Sequence, residues 1–193
     1  DQLSYSEPLE TSIHLNDGND FNQMLLEEYK NHNRSVLNVI GVPLHVHEVT
    51  NSCRSIGSSL SAYIVKQRTA NPELIKPRRI KLKGIAGQSF GAFLVEELCL
   101  ELEGAANDYV AKGLSGGTII LKSSKARGFI ARNSIIMGNT CLYGATSGKL
   151  FAEGGAGERF AIRNSGAIAV IESAGDYACE YMTGGTVLIL GSC

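Results

Sequence analysis

The chain has 193 residues, 44% of them hydrophobic, which is enough apolar material for one domain with a core. Its 18 Lys and Arg residues nearly balance 19 Asp and Glu residues, so no excess of positive charge favours binding to a nucleic acid backbone. The longest apolar runs, such as residues 186–190, are far shorter than the roughly 20 residues of a membrane-spanning helix. Whole-chain disorder, nucleic acid binding and membrane insertion are therefore not expected.

Cysteine and glycine content add two expectations. The five cysteines are odd in number and scattered, and no signal segment opens the chain, so we expect a cytoplasmic protein with reduced thiols. Glycine is over-represented: its 22 residues are about 11% of the chain, whereas an average composition has about 7%. The positions of these glycines therefore carry much of the information about the fold.

Two helices are predicted in the N-terminal part. Residues 1–18 have no apolar period and predict a loose tail. A first helix is predicted over residues 20–30, with one apolar face made of Phe21, Met24, Leu25 and Tyr29. Residues 36–49 predict an extended segment with a turn. A second helix is predicted to be capped within residues 50–52 and to end at Asn71-Pro72, with an apolar face made of Ile56, Leu60 and Ile64.

After Pro77 the apolar residues recur at every second position, which is the period of a β-strand. The residues that follow this period first are Ile80, Leu82, Leu98, Leu100 and Leu102. Residues 79–193 are therefore predicted to form short strands, and residues 1–78 a tail with a helical and extended cap region. The two parts are expected to form one compact unit.

Glycines divide the predicted strands into repeats. A glycine followed by a small or polar residue and then by apolar residues starts each of five predicted strands, at Gly91, Gly117, Gly148, Gly166 and Gly185. A second glycine stands 9 or 10 residues before each of the last three and predicts a further strand start, at Gly138, Gly157 and Gly175. Residues 107–118 also match residues 175–186 at a constant offset of 68 residues, which indicates internal duplication.

Repeats of about 20 residues, each with a strand and a glycine corner, predict a single-stranded parallel β-helix of about six or seven coils. A left-handed backbone at a sharp corner is easy for glycine, which would explain the constant phase of the glycines. The predicted inward column consists of Ile119, Leu150, Ile168 and Val187. The two helices are candidates to cover one open end of the solenoid.

Two glycine-rich motifs favour a structural interpretation over a catalytic one. Residues 113–117 fit the G-x-S-x-G pattern of a hydrolase, in which Ser115 would be the nucleophile. Strand-like residues follow instead of a helix, however, and all four histidines lie at or before His47. The sequence Gly155-Ala-Gly157 lacks the third glycine and the strand-turn-helix context of a dinucleotide-binding site, so a solenoid corner is predicted there.

Isolated ligand-type residues carry no strong functional signal. His45 and His47 would share one face of a strand and could form half of a metal site, but no further histidine or CxxC pair completes it. Cys99 and Cys141 are predicted to be small core residues rather than nucleophiles. The sequon Asn33-Arg-Ser35 is discounted because nothing indicates secretion.

Five charged residues cluster in the two most glycine-rich coils: Glu158, Arg159, Arg163, Asp176 and Glu180. Stacking would bring equivalent positions close together. The favoured interpretation is structural, with ion pairs or with carboxylates bonded to corner amides. The alternative is a binding face for an anion or for another subunit.

Several blocks of sequence resemble the C-terminal glycine-rich GXGXG domain of the glutamate synthase large subunit. Two of them are Gly138-Asn-Thr-Cys-Leu-Tyr-Gly-Ala-Thr146 and Cys179-Glu-Tyr-Met-Thr-Gly-Gly185. The others are residues 51–61, 86–93, 106–113, 115–117, 156–160 and 163–167. The resemblance covers about residues 50–191, and a more distant one is to the β-helix subunit of formylmethanofuran dehydrogenase.

The resemblance implies a right-handed parallel β-helix without catalytic residues, bound metal or cofactor. In that family the domain lies between an amidotransferase domain, which releases ammonia from glutamine, and a flavin (FMN) and iron–sulfur domain, which makes glutamate from 2-oxoglutarate. The family's glycine-rich region usually continues beyond the position of Cys193. This sequence holds neither of the other two domains, so the full reaction is not expected on this chain.

The expected function is therefore a rigid spacer and docking surface in a glutamate synthase, with the amidotransferase and synthase regions as partners. One alternative is an independent enzyme or ligand-binding protein that uses a groove at Glu158, Arg159 and Asp176. Others are a homo-oligomer that covers its own open ends and a β-helix subunit of a formylmethanofuran-dehydrogenase-like complex.

Overall fold

The computed structural model describes residues 18–34, 46–124 and 130–191, which form a mainly parallel β-structure with two α-helices. The helices are α1 (Gly18–Arg34) and α2 (Ser58–Ala70). The strands are β1 (Val46–Val49), β2 (Arg78–Ala86), β3 (Leu98–Ala106), β4 (Ser115–Lys122), β5 (Ile135–Met137), β6 (Ser147–Ala152), β7 (Gly155–Ala156), β8 (Ser165–Ile171) and β9 (Gly184–Ile189).

The strands form a parallel β-helix, which confirms the predicted fold class. One side of the solenoid is a parallel sheet in the order β1-β2-β3-β4-β6-β8-β9, and the short strands β5 and β7 lie on a second side. The path makes about five turns rather than the predicted six or seven. The difference arises because the turn from β4 to β6 is enlarged: residues 123–146 separate these two strands, twice as many as separate β8 from β9. The right-handed winding stays a prediction.

Equivalent residues of successive strands form the predicted apolar column. Leu100, Ile119, Leu150 and Ala169 lie in register and are fully buried. Ile168 was predicted for this column, but its side chain is 42% exposed and its partners in register are Lys149 and Thr186. The reason is an irregular register between Ser165 and Ile168, which moves Ala169 into the inward position.

The glycine repeat locates most strands but not all. Gly117, Gly148, Gly166 and Gly185 lie at the start of β4, β6, β8 and β9, as predicted. Gly91 does not start a strand, because it lies in a turn between β2 and β3. The predicted strand starts at Gly138, Gly157 and Gly175 are also wrong: each glycine directly follows β5, β7 or the bridge residue Ala174.

Both predicted helices are present with different bounds. Helix α1 extends beyond the predicted residues 20–30, and Leu25 and Tyr29 on its apolar face are buried. Helix α2 ends at Ala70 as expected, but it begins after Gly57 rather than at residues 50–52. Neither helix has the length and apolar character needed to cross a membrane, within the described part of the chain. The predictions for residues 1–17 and 36–45 and for Ser35 lie outside the described residues.

The helices cover the N-terminal end of the solenoid, as predicted. Ile56, Leu60 and Ile64 belong to the same hydrophobic core as the inward residues of the strands. Arg68 of α2 donates two hydrogen bonds, at 3.1 and 2.8 Å, to the carboxylate of Glu97 beside β3. Since β1 already belongs to the sheet, the solenoid begins before residue 79. The division of the chain into residues 1–78 and 79–193 stays a prediction.

Candidate functional site

One side of the coils has a backbone in which residues with positive φ alternate with residues with negative φ, and we call it the left-handed face. Every second residue there has a positive φ; on the first coil these residues are Ser89, Gly91 and Phe93. Most positive-φ residues of this face are not glycine, so the predicted rule that glycine marks the left-handed corners is wrong here. The face consists of residues 88–93, 108–113, 139–144, 158–163 and 176–181.

Hydrogen bonds between successive coils hold this backbone. The Tyr109 N–H donates to the Asn139 carbonyl of the next coil at 3.0 Å, and the Ala111 N–H donates to the Phe90 carbonyl of the preceding coil at 2.9 Å. The same alternation continues along the solenoid, for example where Arg159 N–H donates to the Asp176 carbonyl at 2.8 Å. Left-handed non-glycine residues are strained, and these bonds over-determine their conformation.

Large side chains project outward from this face. Phe93, Tyr177 and Tyr181 are 57%, 64% and 77% exposed, and each has a positive φ. The residues at the corresponding positions of the coil before Tyr177 are Arg159 and Arg163, which are also exposed. Arginine and tyrosine are enriched at protein interfaces. The sequence offered one signal for these aromatic residues, because the offset of 68 residues aligns Tyr109 with Tyr177.

The predicted charged cluster lies on the last two coils of this face. The structure brings five charged residues together on adjacent coils, but the predicted ion pairs and amide contacts are absent among the described residues; the five are Glu158, Arg159, Arg163, Asp176 and Glu180. Among the residues that the structure describes, none of these five side chains forms a salt bridge or donates or accepts a side-chain hydrogen bond. A groove of about 320 Å³ lies between Glu158, Arg159, Tyr177 and Glu180. These charges are therefore available to a partner or ligand.

At the corner that precedes this face in each coil, side-chain oxygens of one coil accept hydrogen bonds from main-chain N–H groups of the next. Asp108 Oδ1 accepts a hydrogen bond from Asn139 N–H at 2.8 Å, and Asn139 Oδ1 accepts one from Glu158 N–H at 2.9 Å. A Cβ atom at Gly138 or Gly157 would lie 2.1 or 2.2 Å from the accepting oxygen. Glycine is needed because of this close approach, which supports the corner interpretation of Gly155-Ala-Gly157.

An ion ladder crosses the outward side of the main sheet and was not predicted. Glu101 Oε2 accepts from Arg79 Nε at 2.7 Å, and Glu101 Oε1 accepts from Lys122 Nζ at 2.5 Å. The hydrogen bond from Lys122, together with the charge and hydrogen bond of Arg79, lowers the pKa of the Glu101 carboxyl. These residues link β2, β3 and β4, so the ladder joins three successive coils.

Ser115 does not have the setting of a hydrolase nucleophile. It begins strand β4, and its Oγ donates to the Leu94 carbonyl at 3.3 Å. A polar groove of about 440 Å³ passes this position, and its charged lining residues are Glu96 and Lys149. Ser115 therefore lies at the first position of its strand, next to the corresponding residue Ser147 at the start of β6.

His47 fixes helix α1 against the edge of the sheet. Its Nε2 lies 3.4 Å from Glu28 Oε2, and its ring meets the Phe21 ring edge-on with centroids 5.9 Å apart. His45 lies outside the described residues. The described part of the chain holds no group of three or more His, Cys, Asp or Glu side chains arranged to bind a metal ion.

The two cysteines predicted to be core residues differ in their positions. Cys141 is fully buried, as predicted, and burial raises the pKa of its thiol to about 12. Cys99 is only half-buried, on the outward side of β3 between Arg79 and Thr118 in register, so its assignment to the core is wrong. Desolvation raises the pKa of the Cys99 thiol as well. Neither thiol is activated as a thiolate nucleophile would be.

Comparison with known proteins extends the resemblance beyond residues 50–191. The family model described as "GXGXG motif" matches residues 23–193. The chain is 52% identical over 153 residues to "Glutamate synthase [NADH]" of Schizosaccharomyces pombe, covering 79% of this chain and 7% of the relative. It is 50% identical over 145 residues to "Glutamate synthase [NADPH] large chain" of Azospirillum brasilense, covering 75% and 10%.

A third relative also matches most of the N-terminal part. "Ferredoxin-dependent glutamate synthase" of Antithamnion sp. is 42% identical over 187 residues, covering 94% of this chain and 12% of the relative. The chain thus spans about a tenth of the length of these relatives. The β-helix, the glycine corners and the family match together show that the chain belongs to the GXGXG family, in the form found in glutamate synthases.

Proposed function

We propose that this chain is a non-catalytic structural domain of a glutamate synthase. It holds the amidotransferase region and the FMN and iron–sulfur synthase region in fixed relative positions, and those regions form glutamate from glutamine and 2-oxoglutarate. The observation that carries the proposal is the family match on a β-helix that makes up about a tenth of each relative.

The construction of the solenoid supports a positioning role. Successive strands pair in parallel around one continuous core, and inter-coil hydrogen bonds also hold the left-handed face. The ion ladder at Glu101 ties three coils together on the outer side. Packed cores of this kind transmit position because they have low compressibility.

The settings of the two candidate nucleophiles support assignment of the reaction to other regions. Ser115 Oγ is hydrogen-bonded to a main-chain carbonyl, and the Cys141 thiol is buried with a raised pKa. In the proposal, FMN and the iron–sulfur cluster are bound outside this chain, and no cofactor is bound on it. The cytoplasmic location stays a prediction.

The proposal is tested with the Azospirillum large chain from which the matching segment has been deleted. We expect this chain to form a complex of one copy each with the deleted protein, measured by light scattering. The matched control is the intact large chain, whose own segment fills the position and should prevent binding. Failure to bind a deleted protein that is folded and still hydrolyses glutamine would contradict the proposal. The same measurement on this chain alone gives its mass and tests the alternative of a homo-oligomer.

A second candidate function is an independent ligand-binding protein. The observation that favours it is the groove at Glu158, Arg159, Tyr177 and Glu180, whose charged side chains lack partners in the described structure. Such a groove would bind a small polar ligand, and ligand binding raises the melting temperature. A shift on addition of glutamine, glutamate, 2-oxoglutarate or FMN would support this function, and no shift with any of them would count against it.

A further inference from the structure

One column of outward positions on the left-handed face contains a gap. Backbone hydrogen bonds place its members in order along the solenoid, because each donates its N–H to the next coil: Phe93 to Lys112, Gly113 to Tyr143, Gly144 to Ile162 and Arg163 to Glu180. The column is therefore Phe93, Gly113, Gly144, Arg163 and Tyr181. Large side chains stand at both ends of it, and two glycines stand between them.

The two glycines differ in what surrounds them. A Cβ atom at Gly113 would lie 2.5 Å from Phe93 Cε1 and 2.6 Å from Phe93 Cδ1, so the Phe93 ring covers that glycine. At Gly144, a Cβ atom would have no neighbour within 4 Å. Among the glycines whose surroundings the structure describes, Gly144 is the only one with this open space.

The backbone favours glycine at Gly144 but does not require it. Its φ is +61°, and the equivalent residues Phe93, Arg163 and Tyr181 adopt φ values of +56°, +56° and +54° with large side chains. Neither packing nor backbone conformation therefore demands a glycine at this position. The missing side chain leaves a notch, which we define by Gly144 at its floor, Phe93 on one side and Arg163 on the other.

We propose that this notch receives an aromatic side chain from another region of the glutamate synthase. The inference rests on the proposed function, and the length of the relatives means that about nine-tenths of such a protein lies outside this domain. Successive coils lie about 4.8 Å apart. The Phe93 ring lies over Gly113, one coil before Gly144, and Arg163 lies one coil after it. A ring at the Gly144 level would therefore be about 5 Å along the solenoid from each of them. This spacing suits aromatic pairs at about 4.5–7 Å and cation–π contacts within about 6 Å.

The two walls of the notch suit a ring, because a Phe93 ring and an Arg163 guanidinium can each contact an aromatic face. Arg163 forms no salt bridge in the described structure and could stack on an aromatic face. Inter-coil hydrogen bonds hold the backbone beneath the walls, so binding orders little of the receiving backbone.

The test fills the notch with a side chain introduced at residue 144. Gly144→Tyr reproduces the residue found at Tyr181, and Lys66→Tyr on the exposed side of α2 is the matched control. Binding to the Azospirillum large chain without its matching segment is measured by titration calorimetry. We expect Gly144→Tyr to weaken binding by at least about tenfold and Lys66→Tyr to leave it unchanged. Unfolding of each free variant in urea shows whether it is folded.

A second measurement does not depend on the tyrosine variant being folded. In Gly144→Cys, the rate of maleimide addition at residue 144 is followed by peptide mass spectrometry, and we expect it to fall at least about tenfold in the complex. Wild-type binding with no effect of Gly144→Tyr and no protection at residue 144 would overturn the inference while leaving the proposed function intact. Absence of any wild-type binding would contradict the proposed function itself.

Discussion

Gly104 of β3 lies beside Gly84 of β2 in register, and a Cβ atom on Gly104 would stand 1.9 Å from the Gly84 carbonyl oxygen. Gly84 has the same relationship to the Val49 carbonyl oxygen of β1, at 2.2 Å. Both glycines also have positive φ values, of +143° and +126°. Three successive strands therefore come very close at one level, and only glycine permits this close approach.

Replacement of Gly104 by alanine should destabilise the fold strongly. The methyl group would collide with backbone atoms, which cannot rotate away as a flexible side chain could. We expect Gly104→Ala to lower the free energy of unfolding by about 3 kcal/mol or more, measured by urea denaturation. Gly144→Ala is the matched control, with an expected loss of about 1–2 kcal/mol from its left-handed backbone alone. Equal losses of stability in the two variants would show that the close contact with the Gly84 carbonyl oxygen does not destabilise Gly104→Ala.

The ion ladder at Glu101 should contribute measurably to stability at neutral pH. The side chain is only 11% exposed and accepts from two cations, so Glu101→Gln should lower the free energy of unfolding by about 1–2 kcal/mol. Glu103→Gln on the same strand is the control, because the described structure gives Glu103 no salt bridge, and we expect less than about 0.5 kcal/mol. A larger effect at Glu103 than at Glu101 would contradict this assignment.

The contribution of Glu101 should also depend on pH in a defined direction. Its carboxyl has a lowered pKa in the folded protein, so the stabilisation is complete above the unfolded pKa of about 4.3. It is lost as the pH falls through the lower folded value, where the carboxyl takes up a proton. The difference in the free energy of unfolding between wild type and Glu101→Gln should therefore be constant from about pH 6 to 8, well above the unfolded pKa of about 4.3. It should shrink in acid. Urea titrations across this range measure it.

Cys141 should resist alkylation in the native protein. Its thiol pKa of about 12 leaves almost no thiolate at neutral pH, and the side chain is fully buried. We expect iodoacetamide to modify it at least about a thousandfold more slowly than an ordinary exposed thiol of pKa about 8.5. Peptide mass spectrometry after timed alkylation gives the rate, and the half-buried Cys99 should react faster in the same sample. Comparable rates at the two cysteines would show that Cys141 is accessible.

Helix α1 should depend on the hydroxyl of Tyr29. This side chain is 2% exposed, and its oxygen lies 3.0 Å from both the carbonyl oxygen and the amide nitrogen of Lys76. Tyr29→Phe leaves these main-chain groups without that partner and should cost about 1 kcal/mol. Tyr63→Phe is the comparison, because only ring contacts of Tyr63 are described. Urea unfolding of both variants measures the difference, and equal stability of Tyr29→Phe and wild type would refute the role.

The main sheet could be predicted from sequence because its period is simple. Leu100 and Leu102 alternate with polar residues, and the glycines before β4, β6, β8 and β9 set the phase of the coils. Ile168 escaped this logic, since one irregular step in register exchanges the two faces of a strand. The enlarged turn between β4 and β6 likewise made the coils seem more numerous than they are.

The left-handed face could not be predicted from residue type. Phenylalanine, arginine and tyrosine rarely adopt a positive φ. Phe93 and Arg163 do so here because hydrogen bonds to the neighbouring coil hold their backbone. The partners of Glu101 were equally hidden, because Arg79 and Lys122 are distant in sequence and meet only through the register of three strands. Long-range pairing thus decides the features that local pattern leaves open.

The enlarged turn shows where the architecture accepts new sequence. The connection from β4 to β6, residues 123–146, is twice as long as the one from β8 to β9, residues 172–183, yet β6 still pairs with β4 and the column from Ile119 to Leu150 continues. Additional segments can therefore be inserted in this connection without disturbing the pairing of the strands. An insertion inside a strand would instead shift every later glycine away from its corner. The connection from β1 to β2, which carries α2, is a second such place, so a protein of this kind can lengthen by whole coils or at these connections.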